Sequence, residues 1–207
     1  MSKQTDLDAA YALSSKDDVK QLYARWAHSY DAGFGDAQGY QLPRAVAQAF
    51  VAAGGQGPLL DVGAGTGLVA AHLSHLQVGP IDALDLSDEM LAVARIKGDY
   101  RQLIAADVTQ SIGVTSAYNG VISAGTFTLG HVGPEALQNL LDVAHADAVF
   151  AISVNVAHFE QTGFDKALAQ YGGQIKQLEM NDVRIYDDRA DKDHRNDLAR
   201  IVTFKKT

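Results

Sequence analysis

The stretch Leu59-Leu60-Asp61-Val62-Gly63-Ala64-Gly65-Thr66-Gly67 constrains the fold of this chain more than any other. An apolar run carrying one carboxylate passes into three glycines spaced one residue apart, a pattern that predicts a strand, a tight turn and the start of a helix. Glycine has no Cβ and tolerates positive φ, so the backbone of such a turn can approach a bound ligand closely. A nucleotide-like cofactor is the first expectation.

The next apolar segment, Pro80-Ile81-Asp82-Ala83-Leu84-Asp85-Leu86-Ser87, reads as a second strand whose last carboxylate stands about 20 residues beyond the turn, the spacing of a nucleotide-binding βαβ unit. Asp85 is placed to accept from both hydroxyls of a ribose, because its two oxygens are charged acceptors side by side. The competing role, capping the helix over 88–97, falls to Ser87.

Asp61 bears on which nucleotide binds. A dinucleotide fingerprint sets a pyrophosphate at the helix N-terminus, where a neighbouring carboxylate would repel it, whereas the ammonium end of a methionine moiety would be welcome. Gly65-Thr66-Gly67-Leu68-Val69-Ala70 formally satisfies G-x-G-x-x-A, but that register strands Gly63 and Ala64 ahead of it, and starting at Gly63 puts Leu68 where a small residue belongs. No Gly-Lys-Ser/Thr follows, which excludes a Walker-type phosphate loop. S-adenosylmethionine fits these residues better than a dinucleotide.

With these motifs the chain resembles the class I S-adenosylmethionine-dependent methyltransferases. The stretches that carry the resemblance are 60–67, Leu84-Asp85-Leu86-Ser87-Asp88-Glu89-Met90-Leu91 and Ala106-Asp107-Val108. Tyr23-Ala24-Arg25-Trp26-Ala27-His28-Ser29-Tyr30-Asp31, Tyr100-Arg101-Gln102-Leu103 and Gly125-Thr126-Phe127-Thr128-Leu129-Gly130-His131-Val132 are similar to the small methyltransferase-like group named after the Williams–Beuren chromosomal region. The implied fold is α/β: a single Rossmann-like domain with a seven-stranded, mostly parallel sheet, helices on both faces and an N-terminal helical lid. Residues 1–55 would form the lid, 56–155 the cofactor-binding core and 156–207 the segment that completes the sheet. The Pro-Gly-Gly turn usual before the fifth strand is missing from 141–150.

The resemblance also assigns roles. Gly63, Ala64, Gly65 and Gly67 would line the methionine part, with Asp61 facing its amino group and Asp85 holding the ribose. Leu86 and Met90 would pack beside the adenine, although their spacing suits plain core packing equally well. Asp107 would accept from the adenine amino group and Val108 would donate its backbone N–H to the ring. Ser123 and Ala124 would lie under the sulfur.

Alternation of strand and helix independently predicts a sheet covered on both faces. Strands are expected over 58–62, 80–85, 100–105, 120–123 and 148–154, with an antiparallel pair at 175–186 and 198–205. The charge run at 187–197 reads as a solvated loop. Tyr23, Trp26 and Tyr30 fall on one helix face, and Gly33, Gly35 and Gly39 follow as a hinge would require, so this segment is expected to close over the cofactor. An ordinary packed helix is the alternative.

A chain of 207 residues suffices for one well-cored domain, and its formal charge of -8 argues against a broad nucleic-acid footprint. It contains no cysteine, which excludes disulfides and thiolate catalysis. The N-terminus is polar and no run is long enough to span a membrane, so a cytoplasmic protein without membrane, nucleic-acid or metal partners is expected. His131, just before Gly133-Pro134, is the candidate general base, with organisation of its own loop as the equal alternative. His72 and His75 fall on a helix outside the sheet. Thr126, Phe127, Asn155, Phe159 and Tyr186, with His131, are expected to read the acceptor. A methyltransferase acting on a small molecule leads, ahead of a non-catalytic protein that binds S-adenosylmethionine or S-adenosylhomocysteine, with a nicotinamide oxidoreductase third.

Overall fold

A computed structural model describes residues 16–27, 29–113 and 117–207 of the chain. Residues 1–15 of the expected lid segment, and His28 within its motif, lie outside the described residues. Seven strands form one sheet: β1 (Leu59–Val62), β2 (Ile81–Asp85), β3 (Gln102–Ala105), β4 (Tyr118–Phe127), β5 (Ala144–Asn155), β6 (Ile175–Arg184) and β7 (Leu198–Lys206). Their order is β3-β2-β1-β4-β5-β7-β6, and β7 alone runs against the others. The expected α/β sheet is therefore present. Its order reverses between β1 and β4, which opens a crevice beyond their carboxyl ends, where open α/β sheets bind ligands.

Period-two alternation sorts the core into two layers. Leu60, Val62, Leu84, Val121, Phe150 and Ile152 pack with α5 (Leu137–Val143), α6 (Val156–Thr162) and α7 (Phe164–Gln170). Leu59, Ile81, Ile122 and Ala151 face the other way, onto α2 (Leu42–Ala52) and α3 (Leu68–His75). Each of the four residues of β1 is buried, so the strand reads as a continuous run rather than an alternating one.

Local chemistry sets the helix that frames the site. α4 (Asp88–Lys97) begins at Ser87, whose hydroxyl accepts from the Met90 N–H at 3.2 Å, with Asp88 and Glu89 in its first turn and Arg95 and Lys97 in its last. It ends at Gly98 with φ of 79°, the left-handed residue that commonly terminates a helix. α1 (Lys16–Trp26) precedes a π-helical turn over Asp31–Asp36, which contains Gly33 and Gly35.

Three segments differ from the sequence reading. β5 starts at Ala144 rather than 148, because Asp147 at φ of 64° forms an irregularity that absorbs the residues between the Ala144 and Val149 pairings. β4 extends to Phe127 rather than stopping at Ser123, resuming its pairing after a break at residues 124–126. The charge run at 187–197 is anchored rather than simply solvated. Arg189 donates through Nη1 to the Asp36 carbonyl at 2.7 Å and holds Asp187, while the Asp187 N–H donates to the Gly39 carbonyl at 3.0 Å. Ala190 is buried there. The loop thus grips the chain where the N-terminal segment joins the sheet.

Candidate cofactor site

The glycine turn between β1 and α3 is built as its sequence requires. Gly63, Gly65 and Gly67 have φ of 65°, 54° and 92°, values that L side chains rarely adopt. At Gly63 a Cβ would also stand 1.9 Å from Thr126 Oγ1, so the turn is pressed against the end of β4. Ser123 and Thr126 both donate to the Val62 carbonyl, at 2.8 and 3.0 Å, and lock the two strands together at the crevice.

Beyond these ends lies a cavity of about 360 Å³, within the range of small-molecule sites. Of the residues singled out in the sequence, Tyr23, Tyr30, Gly63, Gly65, Asp85, Leu86, Met90, Asp107, Val108, Ala124, Thr126 and His131 line it. Asp85, at the end of β2, accepts from the Gly65 N–H at 2.8 Å through one oxygen and from the Ser87 N–H at 2.9 Å through the other. Burial raises its pKa against these backbone bonds. Asp107 closes its own turn, accepting from the Thr109 N–H and hydroxyl at 2.9 and 2.7 Å.

Asp61 is placed differently from Asp85. It is fully buried on β1 and does not line the cavity; its Oδ2 accepts from the Tyr100 phenol at 2.7 Å, and its Oδ1 has no partner among the described residues. Burial pushes its pKa up to about 7; the Tyr100 hydrogen bond opposes that rise and the nearby Asp85 charge adds to it. Ala64 and Gly67 likewise shape the turn from outside the cavity wall.

Other candidates fall away from the cavity, each for a packing reason. The Ser123 hydroxyl is committed to Val62, and Trp26 makes an edge contact with Tyr23 at 5.7 Å instead of facing inward. Phe127 is fully buried edge-on to Phe164, and Phe159 stacks on the same ring. Asn155 caps α6 by accepting from the His158 N–H at 3.2 Å. Tyr186 is buried against Tyr40 in the layer beneath α2. Of the residues expected to read the acceptor, only Thr126 and His131 reach the wall.

The His131 ring has an unambiguous tautomer. Its Nδ1 lies 2.9 Å from the Leu129 carbonyl, which can only accept, so Nδ1 carries the proton and Nε2 keeps a lone pair. Nε2 is buried and has no partner among the described residues. Burial lowers the imidazole pKa from its ordinary 6.5, outweighing the Leu129 bond, and His158 adds to the lowering. Tyr23 packs edge-on to His131 at 5.7 Å. Burial, then Tyr40, Tyr23, Asp31 and Asp85, hold the Tyr30 phenol well above its ordinary range, so it stays protonated.

Several contributors carry no obvious sequence signal. His158 donates from Nε2 to the Val132 carbonyl at 2.8 Å and so fixes the backbone next to His131. Asp31 accepts from the Thr66 hydroxyl and from Lys97 Nζ, each at 2.5 Å, tying the N-terminal segment to the glycine turn and to α4. Gly125, with φ of 83°, lines the cavity and leaves no room for a Cβ beside the Tyr40 hydroxyl. Asp31 and Gly125 fall within stretches quoted for the subgroup resemblance, but nothing local marks what they touch.

Comparison with known proteins agrees with this geometry. Residues 59–146 match the sequence profile of a methyltransferase domain family. No curated protein matches the chain. Among solved structures, a TehB-like S-adenosylmethionine-dependent methyltransferase from Corynebacterium glutamicum is 20% identical, with a TM-score of 0.61, over 93% of this chain and 100% of its own. A magnesium protoporphyrin IX methyltransferase from Synechocystis, solved with S-adenosylhomocysteine, is 17% identical at a TM-score of 0.63, over 93% and 100%. The [4+2]-cyclase SpnF has the same fold, at 17% identity and a TM-score of 0.68 over 94% and 97%. These likenesses establish the fold and leave the chemistry to the site.

The residues present fit S-adenosylmethionine. Asp85 offers a diol two adjacent acceptors, the glycine turn admits close approach of a ligand, and the orphaned Asp61 oxygen calls for a cationic donor. Residues 59–146 match a methyltransferase domain family, and the chain as a whole shares the fold of solved S-adenosylmethionine-dependent methyltransferases.

Proposed function

We propose that this protein methylates a small, uncharged acceptor that loses a proton in the reaction, with His131 as the general base. The observation that carries the proposal is the His131 ring itself: Nδ1–H is tied to the Leu129 carbonyl, and the lone pair of Nε2 is unspent in a residue that lines the cavity. Asp85 would bind the ribose diol, and Tyr23 and Tyr30 would shield the site from water. When bound, the cofactor supplies a methyl group on a cationic sulfur. His131 Nε2 would take the acceptor proton as the acceptor's lone pair becomes committed to the new bond.

The lining residues favour the acceptor class. They include Asp85 and Asp107 and, among the described residues, no lysine or arginine, so a phosphorylated or otherwise anionic acceptor would meet no counter-charge. The finer family reading, the Williams–Beuren-region group, gains support from geometry. Its three characteristic stretches converge here: Tyr23, Tyr30 and Asp31; Tyr100 against Asp61; Gly125, Thr126 and His131.

The test is methyl transfer from labelled S-adenosylmethionine to a panel of neutral phenols, alcohols and amines. With an acceptor in hand, His131→Gln should lower turnover by about two to four decades with cofactor affinity unchanged. In wild type, turnover should rise with pH through a value below the ordinary histidine 6.5, because only neutral His131 accepts a proton, and that inflection should vanish in the variant. Identical pH profiles in the two proteins would defeat the general-base assignment.

A further inference from the structure

We propose that Tyr100 is a positioning residue for cofactor binding: its phenol fixes the Asp61 carboxylate by one oxygen and leaves the other, unpaired among the described residues, for the cofactor's ammonium. The inference rests on the reading that the methionine end of the cofactor lies beside Asp61. Nothing in the glycine motif itself calls for Tyr100, which precedes β3 and reaches Asp61 from 39 residues away.

The geometry is that of a built contact. Gly67 has no side chain, and a Cβ there would stand 3.0 Å from Tyr100 Cε2 and 3.7 Å from the Ala94 Cβ, so the ring is seated between the glycine turn and α4. From that seat its hydroxyl donates to Asp61 Oδ2 at 2.7 Å, the length of a strong bond to a charged acceptor. Asp61 Oδ1 is buried and receives nothing from the described residues. A carboxylate with one oxygen pinned and one unpaired has a single orientation, and the unpaired oxygen is where a cation gains most.

The charges around the pair agree with this division. Asp61 feels two titratable neighbours: Tyr100, whose hydrogen bond favours the ionised carboxylate, and Asp85 on β2, whose charge opposes it. Tyr100 in turn faces Asp61, Asp85 and Asp99; burial and these carboxylates hold its phenol well above the ordinary range, so it remains a donor. An ammonium at Asp61 Oδ1 would be the one positive charge in this group. Tyr100 therefore acts on the cofactor through Asp61, without touching it.

The test compares two ligands by calorimetry on the intact protein: S-adenosylhomocysteine, which carries the amino-acid end, and 5′-methylthioadenosine, which lacks it. Tyr100→Phe should weaken S-adenosylhomocysteine by about tenfold or more at pH 7, the effect expected for loss of a hydrogen bond to a charged group, and leave methylthioadenosine within about twofold. Between pH 5.5 and 7.5 the wild-type affinity for S-adenosylhomocysteine should fall as Asp61 protonates. In Tyr100→Phe that fall should set in at higher pH, because the bond that favoured the carboxylate is gone. In an Asp61→Asn background the Tyr100 change should have no further effect on S-adenosylhomocysteine.

Equal weakening of both ligands would make Tyr100 a general support of the turn and overturn the proposal, as would an unchanged affinity and pH profile. An undiminished Tyr100 effect in Asp61→Asn would also overturn it. If wild type discriminates against S-adenosylhomocysteine in favour of methylthioadenosine, the placement of the methionine end fails instead, and with it the premise.

Discussion

Two buried aspartates on neighbouring strands show how the ends of this sheet differ. Asp82, near the amino end of β2, is 1% exposed and its oxygens are filled: Arg101 donates from Nε and Nη2 at 2.9 and 2.7 Å, and the Tyr118 phenol adds a bond of 3.0 Å. Asp61, on β1, is 0% exposed, takes one phenol and has an oxygen left over. A buried carboxylate costs stability unless paired, so the first arrangement is self-sufficient and the second leaves one oxygen unpaired among the described residues. Polar chemistry at the amino end holds the fold. At the carboxyl end one acceptor stays unpaired among the described residues.

The sharpest way to break this comparison is to follow stability against pH. The folded-state pKa of Asp61, about 7, lies above its ordinary 3.8, so the native state binds the proton more tightly than the unfolded chain does. The stability linked to that proton is fully present below pH 3.8 and is lost as pH rises through about 7, by up to about 4 kcal/mol for this one group. Chemical denaturation of the ligand-free protein, wild type minus Asp61→Asn, should show that slope between pH 4 and 7. S-adenosylhomocysteine should reduce it by supplying the missing positive charge. A flat difference would mean Asp61 is satisfied in solution.

The second test is the converse. Arg101→Ala leaves the buried Asp82 with Tyr118 alone, and breaking such a pair costs about 3 kcal/mol, toward the low end because Arg101 is nearly half exposed. The melting temperature should drop by roughly 6–12 °C for a domain of this size. Cofactor affinity should hold within about twofold, since this network stands at the far end of β2 from Asp85. A loss of affinity larger than the loss of stability would erase the division between the two ends.

How much of this was legible in the sequence follows from how local each determinant is. The glycine turn, Asp85, the Ser87 cap and the helix over 88–97 depend on residues within a few positions of one another, so pattern and turn chemistry located them. Asp61 was named for its charge, but its half-filled state depends on Tyr100, and no local rule links positions 39 apart. The placement of the residues expected to read the acceptor was hidden for the same reason. Asn155 ends β5 and Phe159 follows it, near the strand end where function commonly gathers, yet one caps α6 and the other fills the core with Phe164. His131 was singled out because it follows a strand end, whereas its tautomer, set by the Leu129 carbonyl, emerges only from the folded loop.

Asp85 is the intermediate case, and it sharpens the comparison with the smallest expected effect. Each of its oxygens takes one backbone N–H, from Gly65 and from Ser87, so the carboxylate is already oriented but retains accepting capacity on both atoms. Asp85→Asn keeps the shape and one accepting oxygen while removing the charge and half of the diol-binding fork. Affinity for S-adenosylhomocysteine should fall by about 1.5–3 kcal/mol, roughly one to two decades. The amide must also place an NH2 group against a backbone N–H, so the glycine turn should loosen slightly and the melting temperature fall by about 2–4 °C, the equivalent of about 1 kcal/mol. Adenosine, which carries the same ribose, should lose affinity in parallel; that parallel separates Asp85 from Asp61, whose substitution should penalise only ligands with the amino-acid end. Should adenosine bind the variant as well as it binds wild type, the ribose would have to be held elsewhere, and Asp85 would belong with Asp82 among the carboxylates that serve the fold.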